Sequence, residues 1–230
     1  MKVSEMSVVL RKVDGTELDI VNAARVSFHK ESSFELDIGR GTPKLSHKDA
    51  KLINYLAKHG HWTPFGHVNA TFVFKAPLFV ARQLGKHQVG LVWNEVSRRY
   101  VDEEPECYLP TALRYRPDSS IKQGSSSKVV PQVTEHGRKP YMELAEACQQ
   151  AFSVYRNLLN DGVAPEQARM VLPQNMMTEW WWTGSLAAWA RVFNLRLDPH
   201  TQKETQDVVQ MAYDQLLPCF PNALKALVNG

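Results

Sequence analysis

Residues 82–100 concentrate polar chemistry in a short stretch. They include four cations, one histidine, one carboxylate and several amides and hydroxyls. Arginine and lysine donate charge-assisted hydrogen bonds to phosphate, whereas Gln83, Asn94 and Ser97 can pair with the edge of a planar heterocycle. The stretch therefore predicts a pocket for a phosphorylated ligand that contains a base. The competing interpretation is a solvated, charged face of a helix.

Three histidines lie within residues 58–67. A metal site is disfavoured there, because no cysteine is near and no carboxylate occurs between Asp49 and Glu95. The same stretch contains two glycines and a proline, which are turn residues. We therefore interpret it as a turn that lines a ligand site.

Two arginines stand beside apolar residues. Arg169 precedes an apolar run and is typical of a surface residue whose stem covers the core. Arg196 lies between Leu195 and Leu197, so a buried guanidinium at this position needs an anionic partner or a ligand. The residues alone leave both alternatives open for Arg196.

The composition limits the class of protein. A hydrophobic fraction of 43% and a charged fraction of 22% are ordinary for a globular chain of 230 residues. A net charge of +3 argues against a dedicated nucleic-acid binder. The cysteines at positions 107, 148 and 219 are far apart and form no C-x-x-C pair, which favours reduced thiols in a cytoplasmic protein. Neither a signal peptide nor a membrane-spanning run is expected.

Periodicity places these residues on one α+β framework. Strands are predicted at residues 3–13, 68–75 and 178–183. Helices are predicted at residues 19–28, 46–59, 77–86, 139–160, 165–171, 185–195 and 199–217. Ser46 and Asp49 resemble a capping box, and Gly60 suits the C-terminal cap of the same helix. Residues 118–130 are rich in serine and are expected to form a mobile loop. The pattern fits one compact domain spanning residues 1–230.

Several motifs in a fixed order resemble those of the flavin-dependent thymidylate synthases. They occupy residues 23–28, 59–65, 76–83, 94–100, 168–173 and 194–196. Because separate motifs recur in the correct order along almost the whole chain, the resemblance is specific. It implies an antiparallel sheet flanked by helices, and a homotetramer whose active sites form where subunits meet. It also implies transfer of a one-carbon unit from methylenetetrahydrofolate to carbon 5 of dUMP, with a hydride from FAD reduced by NADPH.

The resemblance also assigns roles to residues. Arg196 matches the catalytic arginine that holds the uracil edge and favours its N3-ionised form, since a cation stabilises a neighbouring anion. The residues that match nucleotide ligands are Gln83, Lys86, Glu95, Ser97, Arg98, Arg99 and Arg169. The residues that match FAD contacts are Ser27, His61, Thr63, Lys86, His87, Gln88, Val89, Glu95, Ser185 and Arg191. No metal is implied. Ser97 is not interpreted as a nucleophile, because no histidine is placed by the sequence as its base.

The signature motif departs from the family pattern. The family has Arg-His-Arg, seven residues and Ser, whereas this chain has Lys86-His87-Gln88 and eight residues before Ser97. One positive charge and two guanidinium forks are therefore missing. On a helix the extra residue would rotate all that follows by about 100°, so we expect Gly90 to absorb it locally.

Other flavin-side positions also differ from the family. Gly66 replaces a common Glu, Ser185 a common Asn, Ala187 a common Arg and Arg191 a frequent Asn. The nucleotide-side residues are retained. Two further functions therefore stay open: a hydroxymethylase acting on a deoxypyrimidine monophosphate, and a nucleotide-binding homologue without catalysis.

Overall fold

A four-stranded antiparallel sheet forms the centre of the computed structural model, which describes residues 1–37, 39, 41–100, 103–117 and 123–228. Its strands run in the order β2-β5-β8-β6 and every neighbouring pair is antiparallel. These strands are β2 (Ser7–Asp14), β5 (Asn69–Pro77), β6 (Leu91–Glu95) and β8 (Met177–Ser185). The expected α+β class with an antiparallel sheet is confirmed.

Two short pairs of strands lie beside this sheet. One joins β1 (Lys2–Val3) to β7 (Glu106–Cys107) in parallel, and the other joins β3 (Glu35–Asp37) to β4 (Thr42–Lys44) in antiparallel orientation. The α-helices of the described residues are α1 (Glu17–Arg25), α2 (His47–Lys58), α3 (Leu78–Leu84), α4 (Pro140–Asn160), α5 (Pro165–Ala168), α6 (Leu186–Arg196), α7 (Lys203–Leu216) and α8 (Pro221–Val228).

Aromatic side chains fill the core between the sheet and the helices. In β8, Trp180 and Trp182 are buried while Trp181 points to the other face and is exposed, as the two-residue period of a strand requires. Trp180 stacks on Phe74 of β5 with ring centroids 5.2 Å apart. Trp189 of α6 is buried and donates its indole hydrogen to the backbone carbonyl of the same sheet. Helix α6 is thereby fixed against one face of the sheet.

Two helices bring distant sequence motifs together. Helix α3 leaves β5 at the end where Pro77 pairs with Met177, and α6 leaves β8 at the opposite end, where Ser185 pairs with Asn69. The two helices return along the sheet from opposite ends, so their C-terminal ends meet. This meeting point places the last residue of α6 beside the last turn of α3.

Most predicted elements are confirmed, with differences at their ends. Helix α2 begins after Ser46, whose hydroxyl accepts a hydrogen bond from the Asp49 amide, so Ser46 is confirmed as the N-cap. The Asp49 carboxylate accepts from the Ser46 hydroxyl and not from the Ser46 amide, so the full capping box is not formed. Pro77 ends β5 and caps α3 instead of lying in its first turn. Helix α7 begins at 203, not 199, because Asp198 accepts a hydrogen bond from the His200 amide and holds a turn there. Helix α8 was not predicted, and residues 118–122 of the expected mobile loop lie outside the described residues.

Candidate active site

Arg196 lies at the meeting point of α3 and α6. Its Nε donates to Nε2 of His87 at 2.9 Å, and its Nη2 donates to the backbone carbonyl of Gln83 at 3.4 Å. Among the residues that the structure describes, no carboxylate pairs with this guanidinium. Burial lowers the pKa of Arg196 from its usual value, yet it stays protonated at neutral pH. The protein therefore holds a half-buried cation in place without neutralising it.

His87 is held as a neutral imidazole. Its Nε2 accepts the hydrogen bond from Arg196, so the ring proton resides on Nδ1. Burial lowers the pKa of His87, and the charges of Arg196 and Arg191 lower it further. Because the neutral ring carries no negative charge, it does not neutralise Arg196, and the positive charge remains available to a ligand.

Two cavities lie on either side of this contact. The first has a volume of about 710 Å³ and the second about 630 Å³. The first is lined by polar side chains that include Gln83, Arg114, Ser125, Asn194, Arg196, Asp198, Gln202 and Glu204. The second combines Lys86, His87, Gln88 and Glu95 with the apolar surfaces of Leu78, Leu91 and Trp93. A polar cavity and a mixed cavity share one arginine–imidazole contact at their boundary.

A chain of hydrogen bonds holds the side chain of Gln83 in the first cavity. Thr205 donates to Gln83 Oε1 at 3.0 Å, and Gln83 Nε2 donates to Gln202 Oε1. Gln202 Nε2 donates to Glu204 Oε2 at 3.2 Å, and Glu204 is paired with Arg114. The side chains of Thr205 and Glu204 are buried. The amide of Gln83 is thus connected to an ion pair in which Glu204 is buried and Arg114 is partly exposed.

Glu95 lies at the end of β6, in the second cavity. Its carboxylate accepts hydrogen bonds from Thr178 at 2.8 Å and from the indole of Trp93 at 3.2 Å. Both donors belong to the central sheet, so the carboxylate has a fixed direction. Its position beside Lys86 and Gln88 agrees with the predicted grouping of these residues.

The remaining nucleotide-site candidates lie outside both cavities. Ser97 and Arg99 form a turn after β6, in which Arg99 Nε donates to Ser97 Oγ at 3.2 Å and the guanidinium lies over Tyr100. Arg98 Nη1 donates to the backbone carbonyl of Glu103 at 2.6 Å. Arg169 is exposed and donates only to the carbonyl of Glu166 within the described residues. In a single chain, Arg99 and Arg169 are therefore exposed to solvent, whereas Arg98 is partly buried.

Three of the flavin-site candidates lie elsewhere on the surface. Ser27 belongs to a 3-10 turn after α1, and Thr63 begins the turn before β5. His61 packs its ring near Tyr55, with centroids 6.1 Å apart. All three are exposed, and neither cavity includes them. In the part of the chain that the structure describes, there is no group of three or more histidine, cysteine, aspartate or glutamate residues that could hold a metal ion.

Comparison with known proteins identifies the family. A family model described as thymidylate synthase complementing protein matches residues 8–222. A flavin-dependent thymidylate synthase of Thermosipho africanus is 38% identical over 200 residues, which cover 86% of this chain and 80% of that protein. The flavin-dependent thymidylate synthase of Kosmotoga olearia is 40% identical over 197 residues, which cover 86% of this chain and 79% of that protein. The chain belongs to the flavin-dependent thymidylate synthase family.

A solved structure agrees with this assignment. The UMP/dUMP methylase PolB from Streptomyces cacaoi, bound with 5-Br dUMP, superposes with a TM-score of 0.82 at 28% identity. The match covers 100% of this chain and 97% of PolB. The expected membership of a family of flavin-dependent methyltransferases is confirmed. No helix in the described part of the chain has the length and apolarity needed to cross a bilayer.

The altered signature of this family member lies in a turn. Helix α3 ends at Leu84, and the amide of Leu91 donates to the carbonyl of Gln88 at 3.2 Å, which closes a turn around Gly90. Gly90 has φ +75°, a conformation that glycine adopts without steric cost. The inserted residue therefore rotates no helix, and the expectation that Gly90 absorbs it agrees with this geometry.

Arg191 holds the same turn from α6. Its Nη2 donates to the carbonyl of Val89 at 2.6 Å. A Cβ at Gly90 would approach Ala188 Cβ to 3.2 Å and Ser185 Oγ to 3.7 Å. The hydroxyl of Ser185 accepts a hydrogen bond from the Ala188 amide and caps α6. The flavin-side candidates Val89, Ser185 and Arg191 thus meet around one glycine.

The sequence did not reveal the residues that hold the side chain of Gln83 in place. Arg114, Gln202, Glu204 and Thr205 carry no motif. A signal for Glu204 exists, however, since it is followed at intervals of four by Val208, Ala212 and Leu216, and all four side chains are buried. A carboxylate on the buried stripe of an amphipathic helix indicates an internal partner.

We expect thermal stability to depend on the charge of His87. Its pKa is lower in the folded state than the unfolded value of about 6.5. The contribution of this group is therefore fully present above that value and is lost as the pH falls below it. In His87→Gln the side-chain oxygen replaces Nε2 as acceptor and does not titrate. The melting temperature of the variant should fall less steeply with acidification than that of the unmodified protein.

The matched control for this measurement is His136→Gln. His136 is exposed in a surface turn, so its replacement should leave the pH dependence unchanged. Equal acid sensitivity in all three proteins would show that the neutral form of His87 does not contribute to stability.

Proposed function

We propose that this protein converts dUMP to dTMP by methylation at carbon 5. Methylenetetrahydrofolate would donate the carbon, and FAD, when bound and reduced by NADPH, would supply the hydride. The observation that carries this proposal is the unneutralised Arg196 guanidinium, which is oriented by His87 and by the carbonyl of Gln83. A fixed, half-buried cation suits a substrate that becomes anionic during reaction.

Arg196 would act on the uracil ring. A cation near the imide lowers the pKa of N3 and favours its ionised form. Ionisation raises the electron density at carbon 5, which is the atom that forms the new bond to carbon. Because His87 is neutral and accepts the hydrogen bond from Arg196, it fixes the direction of the guanidinium without adding a second positive charge that would compete for the anionic substrate.

The second cavity suits the planar ring system of a flavin. Leu91 and Trp93 offer apolar surface, while Lys86 and Gln88 offer hydrogen-bond donors, and a mixed lining of this kind is typical of cofactor sites. The turn around Gly90 would approach the cofactor through its backbone. The fit supports FAD as the flavin.

The complete site is proposed to form between subunits of a homotetramer. Ser97, Arg99 and Arg169 are family positions for nucleotide binding, yet they line neither cavity of their own chain. In a closed assembly of identical chains, polar side chains of this kind can reach the cavity of a neighbour. They would then bind the phosphate of dUMP.

We further propose that residues 1–230 act as one catalytic unit in the cytoplasm, without a nucleic-acid or membrane partner. Free thiols at Cys107, Cys148 and Cys219 support a reducing compartment.

Product analysis tests the proposed function. The protein is incubated with dUMP, methylenetetrahydrofolate, FAD and NADPH, and the nucleotide is analysed by mass spectrometry. We expect a gain of one CH2 group, with consumption of NADPH. A gain of CH2O would identify a hydroxymethylase instead, and unchanged dUMP together with dUMP binding would identify a homologue without catalysis.

Flavin affinity is expected to depend on Arg191. With Gln88 in place of an arginine, one charge-assisted hydrogen bond is missing, which costs about 1.5–3 kcal/mol where nothing compensates. Arg191 supplies a guanidinium beside the same turn. We expect FAD binding weaker than is usual for the family, strengthened by dUMP, and weakened roughly tenfold by Arg191→Asn.

Flavin titrations of both proteins, with and without dUMP, measure this effect. Arg138→Ala is a suitable control, since Arg138 pairs with Glu143 on the surface at the start of α4. If Arg191→Asn binds FAD as tightly as the unmodified protein, the compensation by Arg191 is wrong.

A further inference from the structure

The hydrogen-bond chain that ends at Gln83 has a defined direction. Arg114 can only donate hydrogen bonds and the paired carboxylate of Glu204 can only accept them. Gln202 must therefore turn its NH2 group toward Glu204, which leaves its carbonyl oxygen facing Gln83. Gln83 in turn must present its NH2 group to Gln202 and its oxygen to Thr205. One carboxylate thus decides the orientation of two amides.

The end of this chain is exposed to the first cavity. Gln83 uses one N–H on Gln202 and one lone pair on Thr205, and an amide has two hydrogens and two acceptor positions. One N–H and one lone pair therefore remain for a ligand. Their positions would be exchanged if the amide rotated by half a turn.

We propose that Glu204, anchored by Arg114, is a positioning residue that sets the amide orientation of Gln83 for nucleotide binding. This inference rests on the proposed function, because it takes dUMP as the ligand of the first cavity. The side chain of Glu204 is buried. Although it also lines the first cavity, one of its oxygens accepts from Arg114 and the other from Gln202. Its effect is therefore on the geometry of binding, not on the chemical step.

Replacement of the carboxylate by an amide should reverse the chain. In Glu204→Gln the donor Arg114 attracts the new carbonyl oxygen, so the new NH2 group faces Gln202. Gln202 then turns its oxygen toward position 204 and its NH2 group toward Gln83, and the Gln83 amide rotates. Every hydrogen bond of the chain can still be made, since the hydroxyl of Thr205 can accept as well as donate.

A double exchange should restore the original direction. With Gln202→Glu added to Glu204→Gln, Arg114 donates to the amide oxygen at 204 and the NH2 group at 204 donates to the carboxylate at 202. That carboxylate accepts from Gln83 Nε2, as the oxygen of Gln202 does in the unmodified protein. The net charge of the site is the same as at the start.

The experiment compares dUMP affinity and steady-state kinetics in the FAD-loaded protein. We expect Glu204→Gln to raise the dissociation constant and KM for dUMP by roughly fivefold to tenfold, with a much smaller change in kcat. The double exchange should return both constants to within about threefold of the original. Asp207→Asn is the control, because Asp207 pairs with Lys203 on the surface of the same helix.

The outcomes distinguish a failure of the proposed function from a failure of the role assigned to Glu204. If the unmodified protein does not bind dUMP, the proposed function fails. If it binds dUMP but Glu204→Gln binds equally well, or if the double exchange is no better than the single variant, the positioning role of Glu204 is wrong. Melting temperatures of all variants show whether a loss of dUMP affinity is caused by unfolding. If Glu204→Gln lost affinity only because it unfolds, its melting temperature would fall together with its affinity.

Discussion

Arg196→Ala is expected to lower kcat/KM for thymidylate formation by roughly 10²–10³-fold, the usual cost of removing a charge-stabilising donor from an active site. The guanidinium donates hydrogen bonds only to the ring of His87 and the carbonyl of Gln83 among the described residues, and it pairs with no carboxylate there. Removal therefore leaves no buried anion unpaired, and the melting temperature should change little. The loss should fall mainly on turnover, because the cation stabilises charge that develops during reaction.

Two further variants bracket this result. Arg196→Lys keeps the charge but loses the second donor of the guanidinium, so it should retain more activity than Arg196→Ala. Arg138→Ala removes a surface arginine and should have no effect. Retention of more than about a tenth of the activity by Arg196→Ala, a change near 1.4 kcal/mol in the barrier, would exclude the assigned role.

Local chemistry predicted much of the framework. Ser46 caps α2 as its residue type and position predicted. Gly60 has φ +68° directly after the same helix, which is the usual conformation of a C-terminal glycine cap. The aromatic run at residues 180–182 favoured a strand by propensity, and it lies in β8. Each of these features depends on residues within a few positions of one another, so the sequence contains the whole cause.

The site depends on contacts that no local pattern reports. His87 and Arg196 are 109 positions apart, and Arg114 and Glu204 are 90 positions apart. His87 meets Arg196 because α3 and α6 return along the sheet from opposite ends, which is a consequence of strand pairing. Arg114 reaches Glu204 of α7 from a loop. The sequence singled out Arg196 as unusual, yet its partner became known only from the fold. The positions of Ser97, Arg99 and Arg169 relative to the cavity remain a prediction about the assembly.

Two inactive variants are expected to restore activity when they share an oligomer. Arg196 lines the first cavity, whereas Arg99 lies in the exposed turn after β6 and contacts Ser97 and Tyr100 of its own chain. If a site takes Arg196 from one subunit and Arg99 from another, a mixed tetramer of Arg196→Ala and Arg99→Ala contains some sites with both arginines intact. With random mixing in equal amounts, the subunit that supplies Arg196 to a site is intact at that position half of the time, and so is the subunit that supplies Arg99. About a quarter of the sites should therefore contain both arginines and be active.

Co-expression with two different affinity tags, followed by purification on both, isolates the mixed oligomers for assay. Light scattering should give a mass of about four times 26.1 kDa for them and for the unmodified protein. Each variant alone should be nearly inactive, and a mixture of separately purified variants should stay so until subunits exchange. Mixed tetramers no more active than either parent would place both arginines in the site of a single chain, and an active species of 26.1 kDa would remove the shared site altogether. Activity on the order of a quarter would instead show that Arg99 completes the site of a neighbour, which would explain why it lies outside both cavities of its own chain.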